Sequence, residues 1–397
     1  LIACLLLVGL RIRKCETDRP LAAAILARIV SIHSHPSKER SHFMKRFAKT
    51  PIYAGLLLAC AVGLTACGSD DNNSTATSNS GTTGTTGTTG TTGTTGTTGG
   101  TWQTGTTGDV SIKFAAYNGT EKIDCTSTTK LGTKQRAVQI EDFRFYISNV
   151  SLIKADGTRE PLKLKQANDY NYTSNDGKNT VSLIDLEQKG VGECDGSAAT
   201  NAAIEGTVPA GSYTGVEMTL GVPFELNHLN AADATTPRVL QNAVHPSMSW
   251  NWRGGRKFTN IQFDQNENVD PAAWESAEVK DGKAEEGSVR LHLGSTGCVG
   301  NPAAGTPISS CKAPNRVTVT LAGFNPASQV VAFDAGALFN YDIASKAEGA
   351  GGCMSGATDA GCAKPFDALA LDWKADGSGT GVAVAGKTQK VLKAVTP

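Results

Sequence analysis

The sequence predicts a mainly β fold: a single antiparallel β-sandwich-like domain with long loops, short helices and disulfides. Three observations carry this. Apolar and polar residues alternate with period two in Val110-Ser111-Ile112-Lys113-Phe114, Phe143-Arg144-Phe145-Tyr146-Ile147 and Val317-Thr318-Val319-Thr320-Leu321, as half-buried strands require. Turn-forming residues separate such runs, and an even set of six cysteines follows residue 67.

The N-terminal part reads differently. Met44 is followed by Lys45, Arg46 and Lys49, an apolar run from Ile52 to Leu64, and Leu64-Thr65-Ala66-Cys67. A basic start, a short apolar segment and small residues at a cleavage point are the layout of a secretory signal, and the run is short for a bilayer span. Residues 1–43 then read as a gene-model artefact and 44–66 as a lipoprotein signal peptide. Leu-Thr-Ala-Cys resembles the bacterial lipobox, which implies that Cys67 is lipidated. A lipidated cysteine would hold the protein on a membrane, since each buried methylene adds about 0.8 kcal/mol. Gly68 and Ser69 stand after it with no aspartate directly following, which by resemblance to enterobacterial sorting favours the outer membrane, with the folded domain in the periplasm or at the cell surface.

Residues 67–108 are dominated by Ser, Asn, Asp and repeated Gly-Thr-Thr triplets. Such a stretch has too little apolar surface to offset its ordering entropy and reads as a disordered linker. Residues 109–397 remain as the folded domain. Charge follows the same division: residues 1–66 hold 10 Lys or Arg and 3 Asp or Glu out of 37 of each, leaving 27 against 34 beyond. That acidic balance excludes nucleic acid as a partner.

Within the domain, Ala155-Asp156-Gly157 and Asn175-Asp176-Gly177 mark turns between strands. Short helical signals fall at 270–278, 335–340 and 366–371. In an exported protein the six cysteines read as disulfides, and spacing suggests Cys298 with Cys311 and Cys353 with Cys362, leaving Cys125 with Cys194. A cysteine metal site is the weaker reading, because no C-x-x-C occurs.

The stretch "HPSMSWNWRGG", residues 245–255, concentrates residue types scarce elsewhere. On one continuous strand Met248, Trp250 and Trp252 would share a face. A thioether there is a soft donor suited to copper(I); equally, methionine and tryptophan fill cores through sulfur–aromatic contact. Beyond residue 66 the histidines are His228, His245 and His292, all flanking this stretch. His292 alternates with Leu291 and Leu293 and so points away from them, while His245 precedes Pro246 and suits a turn or loop.

"EDFRFYISNVSLI", "LGVPFELNHL", "MSWNWRGGRKF", "LHLGSTGCVGNP" and "GGCMSGATDAGC", in this order, resemble the metallo-mystery pair four-Cys motif family of MbnP-like proteins. The family name stresses four cysteines, and this domain carries six. The resemblance implies an exported copper(I) binder paired with an MbnH-like di-haem enzyme of the cytochrome c peroxidase and MauG type. It implies that Trp250 is oxidised to kynurenine by that partner and that copper is held nearby by a histidine and a methionine. Met248 and His292 are the favoured ligands, His228 the alternate, with His245 and Trp252 in support. Indole is a donor-only group and a poor ligand; ring opening supplies a ketone and an aryl amine. No G-x-S-x-G or H-E-x-x-H motif occurs, so no enzyme activity is expected of the chain itself. The competing expectation is a metal-free exported β-sandwich that grips carbohydrate or peptide through exposed Trp250 and Trp252.

Overall fold

The computed structural model describes residues 101–397 apart from 166, 251–254, 266–278, 281–282, 285–286, 303–304 and 350. The expected signal peptide, Cys67, the expected linker up to residue 100, the helical signal at 270–278 and Trp252 lie outside the described residues. The linker expected as far as 108 is corrected at its end, where Trp102 is buried and Trp102–Gln103 pair with Tyr213 and Ser212 in a sheet.

The strands that position the site are β1 (Asp109–Asn118), β2 (Arg136–Lys154), β3 (Thr180–Asp185), β4 (Ala203–Thr207), β5 (Ser212–Leu220), β6 (Ser249–Trp250), β7 (Gly255–Arg256), β8 (Thr259–Gln265), β9 (Ser288–Leu293), β10 (Thr296–Asn301), β11 (Thr306–Ala313), β12 (Val317–Ala322), β13 (Val330–Asp334) and β14 (Leu392–Val395). All three runs read from alternation are strands. Short helices α1 (Phe224–Asn227), α2 (Ala335–Leu338) and α3 (Ala363–Ala368) interrupt them. The helix expected from residue 366 begins three residues earlier.

Among the described residues the largest sheet has ten strands and is organised around β2. β2 can serve so many neighbours because it runs for 19 residues and exchanges partners along its length. On one side it pairs with β8 and then β5; on the other it pairs with β3. The second sheet has six strands, including β14, β13, β1 and β4. Pairing is antiparallel with one departure from expectation: β1 and β13 run parallel, Phe114 opposite Val331.

The core lies where the two sheets face each other. Alternation sends Phe143 and Phe145 of β2 to one face, where they meet Phe333 of β13 at ring-centroid distances of 5.3 and 4.9 Å. Phe114 of β1 joins Phe145 at 5.8 Å, and Phe263 of β8 joins Phe143 at 6.1 Å. Edge-to-face aromatic pairs of this kind each add about 0.5–1.5 kcal/mol beyond their burial. The disulfides are Cys125–Cys194, Cys298–Cys311 and Cys353–Cys362, as the spacing suggested.

Candidate metal centre

The opposite face of the large sheet carries a row of polar side chains. Residues paired across a sheet share a face, and Asp185 of β3 pairs with Arg144 of β2, Arg144 with Asn260 of β8, and Asn260 with His292 of β9. Four neighbouring strands thus present carboxylate, guanidinium, amide and imidazole side by side, all buried.

At the acidic end, Arg144 donates through Nε to Asp142 at 2.9 Å, pairs through a second nitrogen with the same carboxylate, and lies 3.5 Å from Glu187. Burial works against its charge, but Asp142 and Glu187 outweigh it and hold the guanidinium protonated well above its ordinary range. Burial pushes the Asp185 carboxyl up to about 7. Arg144 also reaches beyond the sheet: its Nη1 donates to the carbonyl of Pro246 at 3.0 Å. That bond fixes the turn that carries Met248 against the sheet.

At the other end stands His292. It is 5% exposed, and neither Nδ1 nor Nε2 has a hydrogen-bond partner among the described residues. Buried polar groups are almost always satisfied, so two bare nitrogens on one ring are a notable exception. Burial, with help from the Lys257 and Arg290 charges, pushes its pKa down to about 3. The ring is therefore neutral at ordinary pH, with a free lone pair. Asn260 beside it is bound through its Nδ2 to Asp142, while its Oδ1 has no partner. Lys257 is itself pushed down to about 8, chiefly by burial.

The backbone of His292 is fixed from both edges. β8 pairs with one side of β9, and on the other Cys353 forms a parallel bridge with Leu291, accepting from His292 N at 2.9 Å. Ser355 Oγ then donates to the His292 carbonyl at 2.9 Å. The approach requires glycine at 352, which has φ of 84° and whose Cβ would stand 2.0 Å from the Arg290 carbonyl oxygen.

In the Met-Trp stretch β6 pairs antiparallel with β7, Trp250 opposite Gly255. Met248 stands one residue ahead of β6, directly after Ser247 with its left-handed φ of 67°. Met248 and Trp250 are both buried with Ser249 half-buried between them, in keeping with the alternation expected of a common face. Lys257 N donates to the Met248 carbonyl at 2.9 Å, so the residue that faces His292 electrostatically is also bonded to Met248.

Trp250 is 7% exposed, and its Nε1 is buried without a partner among the described residues. The expectation of an exposed Trp250 as a carbohydrate or peptide platform is overturned by that burial. The cause is Gly294, two residues past His292: a Cβ there would lie 2.2 Å from Cζ3 of Trp250 and 2.6 Å from Cη2. The six-membered half of the indole fills the space a side chain would occupy.

Of the remaining histidines, His245 is engaged elsewhere, while His228 borders Gly255, the residue opposite Trp250: a Cβ there would lie 3.4 Å from His228 Cε1. His245 is buried in its turn, its Nε2 is 2.5 Å from the Asp169 carbonyl and its ring stacks on Tyr170 at 5.0 Å. His228 follows α1, half-buried, with Nε2 3.4 Å from Cys311 Sγ and 3.2 Å from Asn227 Nδ2. Asn227 accepts from Arg256 N at 2.8 Å, and the buried Arg256 guanidinium donates to the carbonyls of Asn227, Leu229 and Leu240. That network holds the 227–240 segment against β7.

Sequence reading missed Arg144, Asp142, Asn260, Lys257 and Gly294. A signal was present for two of them: an arginine at an alternating position inside an aromatic run, and a glycine directly after Leu-His-Leu.

Fold and site define the class: a disulfide-tied all-β domain that holds a neutral, unpartnered histidine beside a methionine-tryptophan strand pair. The MbnP family profile matches residues 107–355, and the chain belongs to that family. A solved structure, MbnP from Methylosinus trichosporium, superimposes with a TM-score of 0.58 at 27% identity, covering 72% of this chain and 98% of that one. No curated protein matches the sequence.

Proposed function

We propose that this protein is an exported copper(I)-binding member of a metallo-mystery pair, acting in copper acquisition or homeostasis. It binds and does not itself catalyse. The observation that carries the reading is His292: a dehydrated, neutral imidazole whose two nitrogens lack partners costs stability unless something occupies one of them. Imidazole and thioether donors suit copper(I), and Met248 is the buried thioether joined through Lys257 to the same region. When bound, the ion would supply a monovalent soft-metal centre. Arg144 contributes by pinning the Pro246 carbonyl, and Cys353 with Ser355 by fixing the backbone of His292.

Trp250 is the residue modified in this reading. A partner di-haem peroxidase of the MauG type would oxidise the indole by four electrons at the expense of two peroxides, and hydrolysis of the opened ring would release one carbon as formate, so that kynurenine shows a net gain of one oxygen and loss of one carbon. The bare Nε1 becomes an aryl amine, and a ketone oxygen appears beside it, adding an acceptor where the indole has only a donor. Cys67 carries the lipid that holds the domain at the outer membrane.

The test is co-expression of the full chain with and without its di-haem partner, followed by metal analysis and peptide mass. Copper retention that rises with the partner, together with the kynurenine mass on the Trp250 peptide, supports the reading. Equal copper in both preparations would sink the maturation step. His292→Ala and Met248→Leu should each abolish retention; normal binding by either variant would remove that residue from the ligand set.

A further inference from the structure

Cys298 and Cys311 sit opposite each other on β10 and β11, a hairpin that stands largely exposed. His228 comes from a different part of the chain, just after α1, yet its Nε2 lies 3.4 Å from Cys311 Sγ. The imidazole nitrogen and the two sulfurs all fall within 4.8 Å of one another, and all three residues are partly accessible. As a disulfide the pair offers no thiolate, so the oxidised protein has no such site.

We propose that reduction of Cys298–Cys311 opens a second metal site, in which two thiolates and the His228 imidazole hold a thiophilic d10 cation such as zinc(II). This proposal is independent of the copper assignment at His292. The spacing is the argument. Ligand atoms on a tetrahedral ion with bonds of about 2.0–2.3 Å lie about 3.3–3.8 Å apart. The His228 nitrogen already stands at that separation from Cys311. Two sulfurs released from a covalent bond retreat to van der Waals contact, which is the same separation again. No strand has to move by more than the lengthening of that one contact. Three protein ligands leave the fourth position for water or an incoming ligand, as open zinc sites do.

The chemistry needs a reductant, and a dithiol supplies it. One thiolate of the dithiol attacks Cys298 Sγ, the S–S bond breaks, and Cys311 leaves as a thiolate beside the His228 ring. The second thiol then displaces Cys298, so the dithiol becomes a cyclic disulfide and two electrons pass to the cysteines. The two protons it gives up reside on the cysteines until metal binding releases them. The other two disulfides are shielded: Cys125, Cys194, Cys353 and Cys362 are all buried. An exposed bond is the one a reductant reaches first.

The experiment uses the full chain, mildly reduced with a phosphine that does not compete for metal, and zinc binding by equilibrium dialysis. Cobalt(II) substitution adds a spectroscopic signature, the thiolate-to-metal charge-transfer band in the near ultraviolet. Reduction should raise zinc capacity by one equivalent and produce the band. The Cys298→Ser, Cys311→Ser double variant should show neither, and His228→Gln should weaken affinity on the order of tenfold or more while keeping a diminished band. No gain of zinc on reduction overturns the proposal, and so does a gain that survives in the double variant. Unchanged affinity in His228→Gln removes the histidine and with it the site as stated. Circular dichroism of each variant separates loss of ligands from loss of fold.

Discussion

The two faces of β2 make a natural comparison, because they are built from alternate residues of one strand. Phe143 and Phe145 face the second sheet and pack ring against ring; Asp142 and Arg144 face the other way and pair with charge and amide. The apolar face needs only volume and shape. The polar face pairs Arg144 with Asp142 and Glu187 and Asp142 with Asn260, and leaves Asp185 Oδ1 at one end and Asn260 Oδ1 and His292 at the other without partners among the described residues. A domain can hold a reactive donor dry only if the surrounding charges are already paired. That is what Arg144 does for Asp142 and Glu187.

Arg144→Met breaks this comparison most severely. It leaves buried carboxylates uncompensated, for an expected loss of about 3–5 kcal/mol, and it also frees the Pro246 carbonyl. Urea unfolding should register the first effect and copper retention the second; a variant that keeps both would dismantle the account of the polar row. Phe143→Ala on the other face should cost a similar amount, about 3–5 kcal/mol. Below its unfolding transition, however, it should bind metal as the parent does. Selective loss of metal there would show that the faces are not separable.

Gly294→Ala should cost about 1–3 kcal/mol through overpacking, because the added Cβ would meet the Trp250 ring. Tryptophan fluorescence should shift as the ring is displaced, and an unchanged spectrum at parental stability would contradict the packing described. Asp185→Asn sharpens the polar face through pH. The Asp185 carboxyl rises from an ordinary 3.8 to about 7 in the fold, chiefly by burial. The folded state therefore holds a proton that the unfolded chain releases. Its contribution is fully present below pH 3.8 and is lost as pH climbs through about 7. Glu141, pushed up to about 8 by burial and by Asp264, acts with the same sign. Stability of the parent should therefore slope downward between pH 4 and 8, and Asp185→Asn should flatten that slope; parallel curves would refute the assignment. Lys165→Ala, which breaks an exposed pair with Glu205, is the smallest effect. It should fall within about 0.5 kcal/mol, and a larger thermal shift would mean that surface charge matters more than either face.

What could be read in the sequence was whatever repeats locally. Alternation in Val110–Phe114 or Val317–Leu321 is set by residues next to one another, and the short cysteine loops close within 13 and 9 residues. The polar row is different. Arg144, Asn260 and His292 are spread across 148 positions, and only the register of three strands, one of which carries Glu141 as an extra residue opposite Gln262–Phe263, brings them into line. The hidden position of Trp250 was invisible for a related reason: it depends on an absent side chain at residue 294.

The seat at Gly294 divides the indole in an informative way. It grips the benzenoid edge, Cζ3 and Cη2, and leaves the pyrrole nitrogen touching no acceptor. Cleaving the five-membered ring would spare the gripped edge, so the side chain could be chemically rebuilt without being unseated, much as a tool is resharpened while still clamped in its vice.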